Sequence, residues 1–404
     1  MSLRGVLMAN RKPLVMHVLH TLGTGGMENG VVNILNRMPA DRYRHMIVCL
    51  SHATDFAHRL NSADITVVEL RKKEGNDLSI YWKLLCLFWK YRPRIVHSRN
   101  LAALDIHALK VLAPFFKSVH GEHGRDIYDL EGKNKKYNAL RSFMKHFINQ
   151  YIAVSKDLEQ WLINTIHVPS SRVSQIYNGV NHQQFVPLAD ENKPAALNEL
   201  LWKNESSPTG KPFIVGTVGR LAAVKDQKTL VNGFSLFLQA LPDEPRLSTY
   251  LLIVGDGPLH EELDAEIQRL GLASRVMMLG DRSDVAQLLP LMDVFVLSSL
   301  AEGVSNTILE AMSSHLPIVA TDTGGNPELV TDQKNGVLFK VGDQQALAEI
   351  LTELWHDPLK RHNMANESVL KVRSEFDWSK TVADYLAVYD GLISTKMEYA
   401  VKGS

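Results

Sequence analysis

The chain is short of cysteine, carries no surplus of charge, and has no long apolar run. Two cysteines in 404 residues, Cys49 and Cys86, sit in the apolar stretches IVCL and LLCLF without Cys-x-x-Cys spacing. That usage argues against a disulfide framework or a thiolate metal site and predicts two buried thiols in a reducing cytoplasm. Lys and Arg total 44, as do Asp and Glu, for a formal charge of +0. The broad positive field of a nucleic-acid binder is therefore missing, no nucleic-acid partner is expected, and an anionic partner must be held locally. No apolar run approaches the roughly 20 residues of a membrane span, and the best candidate, YWKLLCLFWK, contains Lys83 and Lys90. The N-terminus has no signal-peptide pattern, so a cytoplasmic location is expected.

What is present is ordinary soluble composition, 45% apolar and 22% charged, over a length that suggests two domains. Short apolar runs alternate with longer amphipathic stretches, the signature of an α/β fold. Seven strands are predicted in the first half, at 14–20, 45–50, 65–70, 94–98, 117–123, 150–155 and 173–178. Residues 186–211, rich in Pro, Asn, Ser and charge, read as an interdomain linker. Six more strands follow at 212–220, 249–256, 275–280, 294–299, 317–322 and 336–340. Two doubly wound, Rossmann-like domains with a ligand cleft between them are expected, the first at 1–186 and the second at 187–379.

Several loops at strand ends carry candidate chemistry. HTLGTGGMENG opens a helix, and Gly25 and Gly26 allow close approach of an anion to its N-terminus, although the spacing is not G-x-G-x-x-G and a plain tight turn fits as well. SVHGEHGRD places His120, Glu122 and His123 at a strand end facing the cleft. One of the two histidines is expected to hydrogen-bond a sugar hydroxyl; a structural histidine, or a metal pair completed by Asp126, are the competing readings. TVGRLAAVKD supplies Gly219, Arg220 and Lys225, two cations able to neutralise a diphosphate without a metal ion. IVGDGPL turns at Gly255, and TDTGGNPELV offers Glu328 beside Gly324 and Gly325.

The most informative stretch is AEGVSNTILEAM, which spaces Glu302 and Glu310 eight positions apart. Helical periodicity begins at Thr307 with Ser305 or Asn306 as cap, so Glu302 precedes the helix and Glu310 lies a turn inside it. Gly303, Val304, Ser305, Asn306 and Thr307 then present free amides between two carboxylates. That arrangement suits a nucleotide sugar, with amides for phosphate and carboxylates for hydroxyls; an ordinary surface helix with an acidic start fits the same spacing. Separately, KNKKYNALRSFMKHF (133–147) alternates Lys133, Lys135, Lys136, Arg141 and Lys145 with apolar residues. It reads either as a helix with a solvated basic face or as a peripheral contact with an anionic membrane.

Taken together, GTGGMENGVVNIL, EHGRD, IYNGVN, TVGRLAAVKD, IVGDGPL, EGVSNTILE, GGNPELV and FDWSKTVADYLAVYD resemble the retaining glycosyltransferases of family 4, whose GT-B fold pairs two Rossmann-like domains. EGVSNTILE matches that family's E-x7-E pattern. A finer similarity, through GEHGRD and GTGGMENG, is to sugar transferases of bacterial exopolysaccharide and exosortase systems. The resemblance implies a UDP- or GDP-linked sugar donor and a lipid-linked or oligosaccharide acceptor. It also implies retention of anomeric configuration, no metal or other cofactor, and work in cell-surface glycan synthesis at the inner face of the cytoplasmic membrane. It further implies that Arg220 and Lys225 grip the diphosphate, Glu310 holds the ribose, Glu302 faces the transferred sugar, and His123, with His120 as competitor, sits near the reacting carbon. A final helix over 380–404 is implied to return to the first domain. A nucleotide-sugar epimerase or a non-catalytic binding protein on the same scaffold are the alternatives. Asn29, where Arg is frequent in the family, and Val304 and Ser305, where an aromatic or Leu and then Pro or Gly are common, leave substrate identity open.

Overall fold

In the computed structural model, residues 12–394 are described except 24, 63, 126–127, 190 and 203–210. Contacts divide the chain into two compact units, 1–178 with 378–404 and 179–377.

The first unit is built on a seven-stranded sheet: β1 (Leu14–Leu19), β2 (Arg44–Cys49), β3 (Thr66–Glu69), β4 (Ile95–Arg99), β5 (Lys117–Glu122), β6 (Gln150–Ala153) and β7 (Val173–Gln175). The strands are parallel and lie in the order β3-β2-β1-β4-β5-β6-β7. Every residue of β1 is buried, as expected of a strand covered on both faces. Helices α1 (Gly26–Arg37), α2 (Ser79–Tyr91), α3 (Lys135–Met144) and α4 (Lys156–Asn164) connect them. On one face Ile80, Leu84 and Phe88 of α2 pack with Leu14, Met16 and Val96. Local capping sets the helix starts: the Asn134 side chain accepts from the Lys136 and Tyr137 amides, and Ser155 from Leu158.

The second unit repeats the plan with six parallel strands, β8 (Phe213–Val218), β9 (Thr249–Val254), β10 (Val276–Met278), β11 (Val294–Leu297), β12 (Ile318–Thr321) and β13 (Gly336–Phe339), in the order β10-β9-β8-β11-β12-β13. Its helices are α5 (Lys193–Leu200), α6 (Gln227–Ala240), α7 (His260–Arg269), α8 (Asn306–Ser313), α9 (Gln344–His356) and α10 (Pro358–Glu375). The last helix, α11 (Trp378–Ser394), belongs to the first unit. There Trp378, Val382, Tyr385 and Tyr389 join Val15, Ile95, Val119 and Ile152 in one core. In each sheet the strand order reverses beside the first strand, between β1 and β4 and between β8 and β11. Doubly wound sheets bind ligands beyond the carboxyl ends of such strand pairs.

Two expectations change. The stretch 186–211 is not a bare linker, because α5 lies within it. Lys193 Nζ donates to the Met292 carbonyl at 3.0 Å, and buried Trp202 meets Tyr250 edge-on. Its Pro and polar content marks a helix start and surface rather than a boundary; the chain changes units at 178/179 and 377/378. Cys49 is buried, but Cys86 is exposed, since α2 turns its 80/84/88 stripe inward and carries Cys86 on another face. Among the described residues no helix is long and apolar enough to cross a membrane.

Candidate active site

The carboxyl ends of β8 and β11 bring together residues from two separate loops. After β8, Gln227 Nε2 donates to the Arg220 carbonyl at 3.0 Å, fixing the loop while the Arg220 side chain stays exposed. The next turn ends at Asp226, held at φ +44°, whose carboxylate caps α6 by accepting from the Thr229 amide at 3.4 Å and also accepts from Thr229 Oγ1 at 2.6 Å. After β11, the Ser298 hydroxyl donates to the carbonyls of Lys225 and Asp226 at 3.1 and 2.8 Å, and the Leu300 amide to Val224 at 2.8 Å. This stitching delivers Lys225 Nζ to Glu302 Oε1 at 2.5 Å, while Ser299 Oγ donates to the same oxygen at 2.6 Å. The Lys225 side chain is 25% exposed and that of Glu302 10%. A charge-assisted pair at this depth is stronger than a surface ion pair and holds both groups in one place.

The segment from Glu302 to α8 follows the spacing rule closely. Ser305 is the cap, with Oγ accepting from the Ile308 amide at 3.4 Å. Gly303, Val304 and Ser305 are buried, Asn306, Thr307 and Glu310 half-buried, and Glu310 sits in the second turn of α8. The neighbouring loop approaches so closely that a Cβ on Gly324, at φ +53°, would lie 2.0 Å from the Glu302 carbonyl oxygen. Gly325 donates its amide to the same carbonyl at 3.3 Å. Glu328 is half-buried in the short helical turn that follows. Gly255 has a related role: at φ +127°, its Cβ would lie 2.2 Å from the Gly219 carbonyl oxygen, so glycine here lets the β8 and β9 loops touch. Ser298, Ser299, Asp226 and Gln227 were not anticipated. The Ser-Ser pair directly after an apolar strand was the available signal.

In the first unit the neighbouring strands β1, β2 and β4 hold a buried polar layer along their length. His17 Nε2 lies 3.1 Å from His45 Nδ1, Arg99 Nη1 is 3.2 Å from His17 Nδ1, and His97 Nδ1 is 2.8 Å from the Tyr389 hydroxyl. Burial, then Arg99, keeps His17 and His97 well below the ordinary histidine value and His45 at about 4. On the other face of the sheet, the Ser98 hydroxyl is 2.7 Å from both His107 Nε2 and His120 Nδ1, and Arg141 Nε donates to Glu122 Oε1 at 2.8 Å. Burial alone would raise Glu122, yet Arg141 and His120 hold it down at about 2.

Two expectations are corrected here. Glu122 and His120 do not face a cleft: both are fully buried and serve the Glu122–Arg141 pair and the Ser98 contact. Alternation along β5 puts His120 and Glu122 together on the Ser98 side, with His120 Nε2 3.4 Å from Glu122 Oε1, and turns Gly121 to the other side. His123 lies on the opposite side of β5, its ring near Gly121 and His97. Its amide donates to Asn100 Oδ1 at 2.9 Å, and both ring nitrogens are without a hydrogen-bond partner among the described residues. Burial, then Arg99, holds it at about 3, so it is a neutral imidazole at neutral pH. Asp126, the third member of the considered metal set, lies outside the described residues. Arg141 does not belong to a basic surface of 133–147, because it points inward to Glu122. Lys133, Lys135, Lys136, Leu140 and Phe143 remain exposed. At the start of α1, a Cβ on Gly25 would lie 2.3 Å from a Glu28 carboxylate oxygen, so the chain's own carboxylate already covers that glycine.

Comparison with known proteins bears on the family and the fold. Residues 24–184 match the model of "Glycosyltransferase Family 4" and residues 199–369 that of "Glycosyl transferases group 1". The putative glycosyltransferase EpsD of Bacillus subtilis is 28% identical over 55% of this chain and 55% of its own length. A UDP-Gal:alpha-D-GlcNAc-diphosphoundecaprenol alpha-1,3-galactosyltransferase of Escherichia coli is 28% identical over 69% of this chain and 70% of its own. Among solved structures, Anabaena HepE in complex with UDP and glucose superposes with a TM-score of 0.79 over 94% of this chain and all of its own, at 22% identity. Two parallel Rossmann-like sheets of matching strand order, the two family models that span them, and these relatives place the chain among the family 4 glycosyltransferases of GT-B fold.

Proposed function

We propose that this glycosyltransferase moves a sugar from a UDP-linked donor, with GDP as the competing base, to a lipid-linked or oligosaccharide acceptor in bacterial exopolysaccharide or other cell-surface glycan synthesis, with anomeric retention and without a metal ion. The observation that carries the reading is the Lys225–Glu302–Ser299 cluster at the β8/β11 strand ends, with exposed Arg220 on the same loop as Lys225 and the capped start of α8 after it. Breaking the bond between the anomeric carbon and the diphosphate sends an electron pair to the leaving group. Arg220, Lys225 and the α8 amides are fixed positive groups suited to that developing charge. The acceptor oxygen bonds to the anomeric carbon on the face the diphosphate leaves, and its proton passes to a diphosphate oxygen, so no protein nucleophile takes part. Glu310 is assigned to the ribose hydroxyls, Glu302 to the transferred sugar, and neutral His123, with two unengaged ring nitrogens, to a sugar hydroxyl.

Support for UDP comes from HepE, crystallised with UDP and glucose, and support for a lipid-linked acceptor from the diphosphoundecaprenol galactosyltransferase. An acceptor of that kind requires work at a bilayer surface, with exposed Lys133, Lys135, Lys136 and Phe143 as a candidate contact. In thermal unfolding, UDP should raise the midpoint of the wild type and not that of Lys225→Ala. Turnover of UDP-sugar should drop by about 10²–10³ in Lys225→Ala, the scale of one lost transition-state contact. Undiminished turnover in that variant and in Glu310→Ala overturns the site, and complete loss of activity in excess chelator overturns metal independence.

A further inference from the structure

Helix α2 is apolar nearly all round, yet only half of it has a core to face. Ile80, Leu84 and Phe88 are buried. On another side, Leu78, Trp82, Cys86 and Trp89 follow one another at helical spacing and are exposed, the leucine at 75% and the tryptophans at 69% and 47%. A helix of this composition belongs either inside a protein or against a second apolar medium. The exposed stripe continues over the adjoining 3₁₀ segment, where Val111 and Leu112 are exposed and Trp89 meets Phe115 edge-on. Exposed apolar surface gathered in this way marks a binding face, unlike scattered single residues.

Along the helix the charge is of one sign, while Asp77 just before it accepts from Ser79 and Lys73 and Asp105 accepts from the Tyr81 hydroxyl. From Ser79 to Tyr91 there is no Asp or Glu, whereas Lys83 and Lys90 flank the stripe. Arg92 stands over the rings of Trp89 and Phe115 at 4.1 and 4.6 Å. We propose that the exposed Leu78–Trp82–Cys86–Trp89 side of α2, with Lys83, Lys90 and Arg92 around it, docks the first domain on an anionic lipid bilayer. Tryptophan is suited to the headgroup boundary, its ring in the apolar layer and its N–H in the wet one, and long basic side chains reach from there to lipid phosphates. A second copy of the chain fits less well. A two-fold contact would press Lys83 and Lys90 of each copy against those of the other with no carboxylate on the helix to compensate.

The test needs neither donor nor acceptor, so it stands or falls separately from the assignment of the sugar-transfer site. The full chain is sedimented with phosphatidylcholine vesicles containing one-third phosphatidylglycerol and with phosphatidylcholine alone, while tryptophan fluorescence is recorded. The wild type is expected to bind the mixed vesicles with a blue shift and to be released by high salt. Trp82→Ser with Trp89→Ser should weaken that binding by at least about tenfold, and Lys90→Gln by a smaller factor. Trp82→Ser alone, at a side chain with no ring partner among the described residues, keeps the test valid where the double variant folds poorly. Binding no better to mixed vesicles than to phosphatidylcholine, or wild-type binding by the tryptophan variants, overturns the proposal. So does a concentration-dependent dimer that these variants abolish in a chain indifferent to vesicles.

Discussion

The two domains share a strand order and treat their titratable side chains in opposite ways. At the β8/β11 ends the charges are borne on loops and stay within reach of solvent: Arg220 is exposed, and Lys225 keeps a quarter of its side-chain surface. Within β1 and β4, histidines and Arg99 project from the strands themselves and are sealed in, with His17 and His97 inaccessible. Topology fixes where a site can form, while the choice between strand and loop decides whether its groups remain charged and available or are held neutral. The first domain therefore holds most of its polar groups inside, and the second leaves its own within reach of solvent.

The sharpest way to break this contrast is to remove Arg141, which leaves the fully buried Glu122 carboxylate without its main counter-charge. Arg141→Leu should destabilise the first domain by about 3–5 kcal/mol in urea unfolding, enough to separate its transition from that of the second domain. A single unshifted transition would show that the pair carries little.

Acidification sharpens the same comparison. His17, His45, His97 and His123 have folded-state values below the unfolded value of about 6.5, so the unfolded chain binds more protons in between. The stability they represent is whole above about pH 6.5 and drains away as the pH falls toward the folded values, by up to about 1.4 kcal/mol per unit for each histidine. Among the described histidines of the second domain only half-buried His182 is lowered. Between pH 7 and pH 5 the first domain's unfolding midpoint should therefore fall well ahead of the second's, a difference that differential scanning calorimetry resolves; parallel decline would remove the distinction.

The smallest expected effect lies at the start of α8. Ser305→Ala removes one cap and should cost about 1 kcal/mol, with a weaker response of the thermal midpoint to UDP. A full UDP response in this variant would separate the cap's structural role from donor binding.

Much of this was legible before any coordinates. All thirteen predicted strands are present, with ends moved by a few residues, because parallel strands covered on both faces are continuous apolar runs and the loops between them carry Gly, Pro and Asn. Helical spacing alone narrowed the cap to Ser305 or Asn306, of which Ser305 is the cap, and put Glu302 ahead of the helix. Side-chain direction was not legible to the same degree. Arg141 looked like one more lysine-like surface charge and Glu122 like a cleft acid, yet each is buried by the other, a pairing between residues 19 apart that no local pattern encodes. Cys86 failed for a related reason: a helix that is apolar on every side offers periodicity no means of choosing its inner face.

The path of the chain through the two units has a consequence for biogenesis. Strands β1 to β7 emerge from the ribosome early, but part of their core, Trp378, Val382, Tyr385 and Tyr389, is translated about 200 residues later. At about 5–20 residues per second, the nascent first sheet waits on the order of ten seconds or more for its closing helix. The second domain, uninterrupted in sequence, completes its own core in the meantime. The half of the protein made first is thus the half that matures last, and a chain cut short after residue 377 would carry a complete second domain tethered to an unsealed first one.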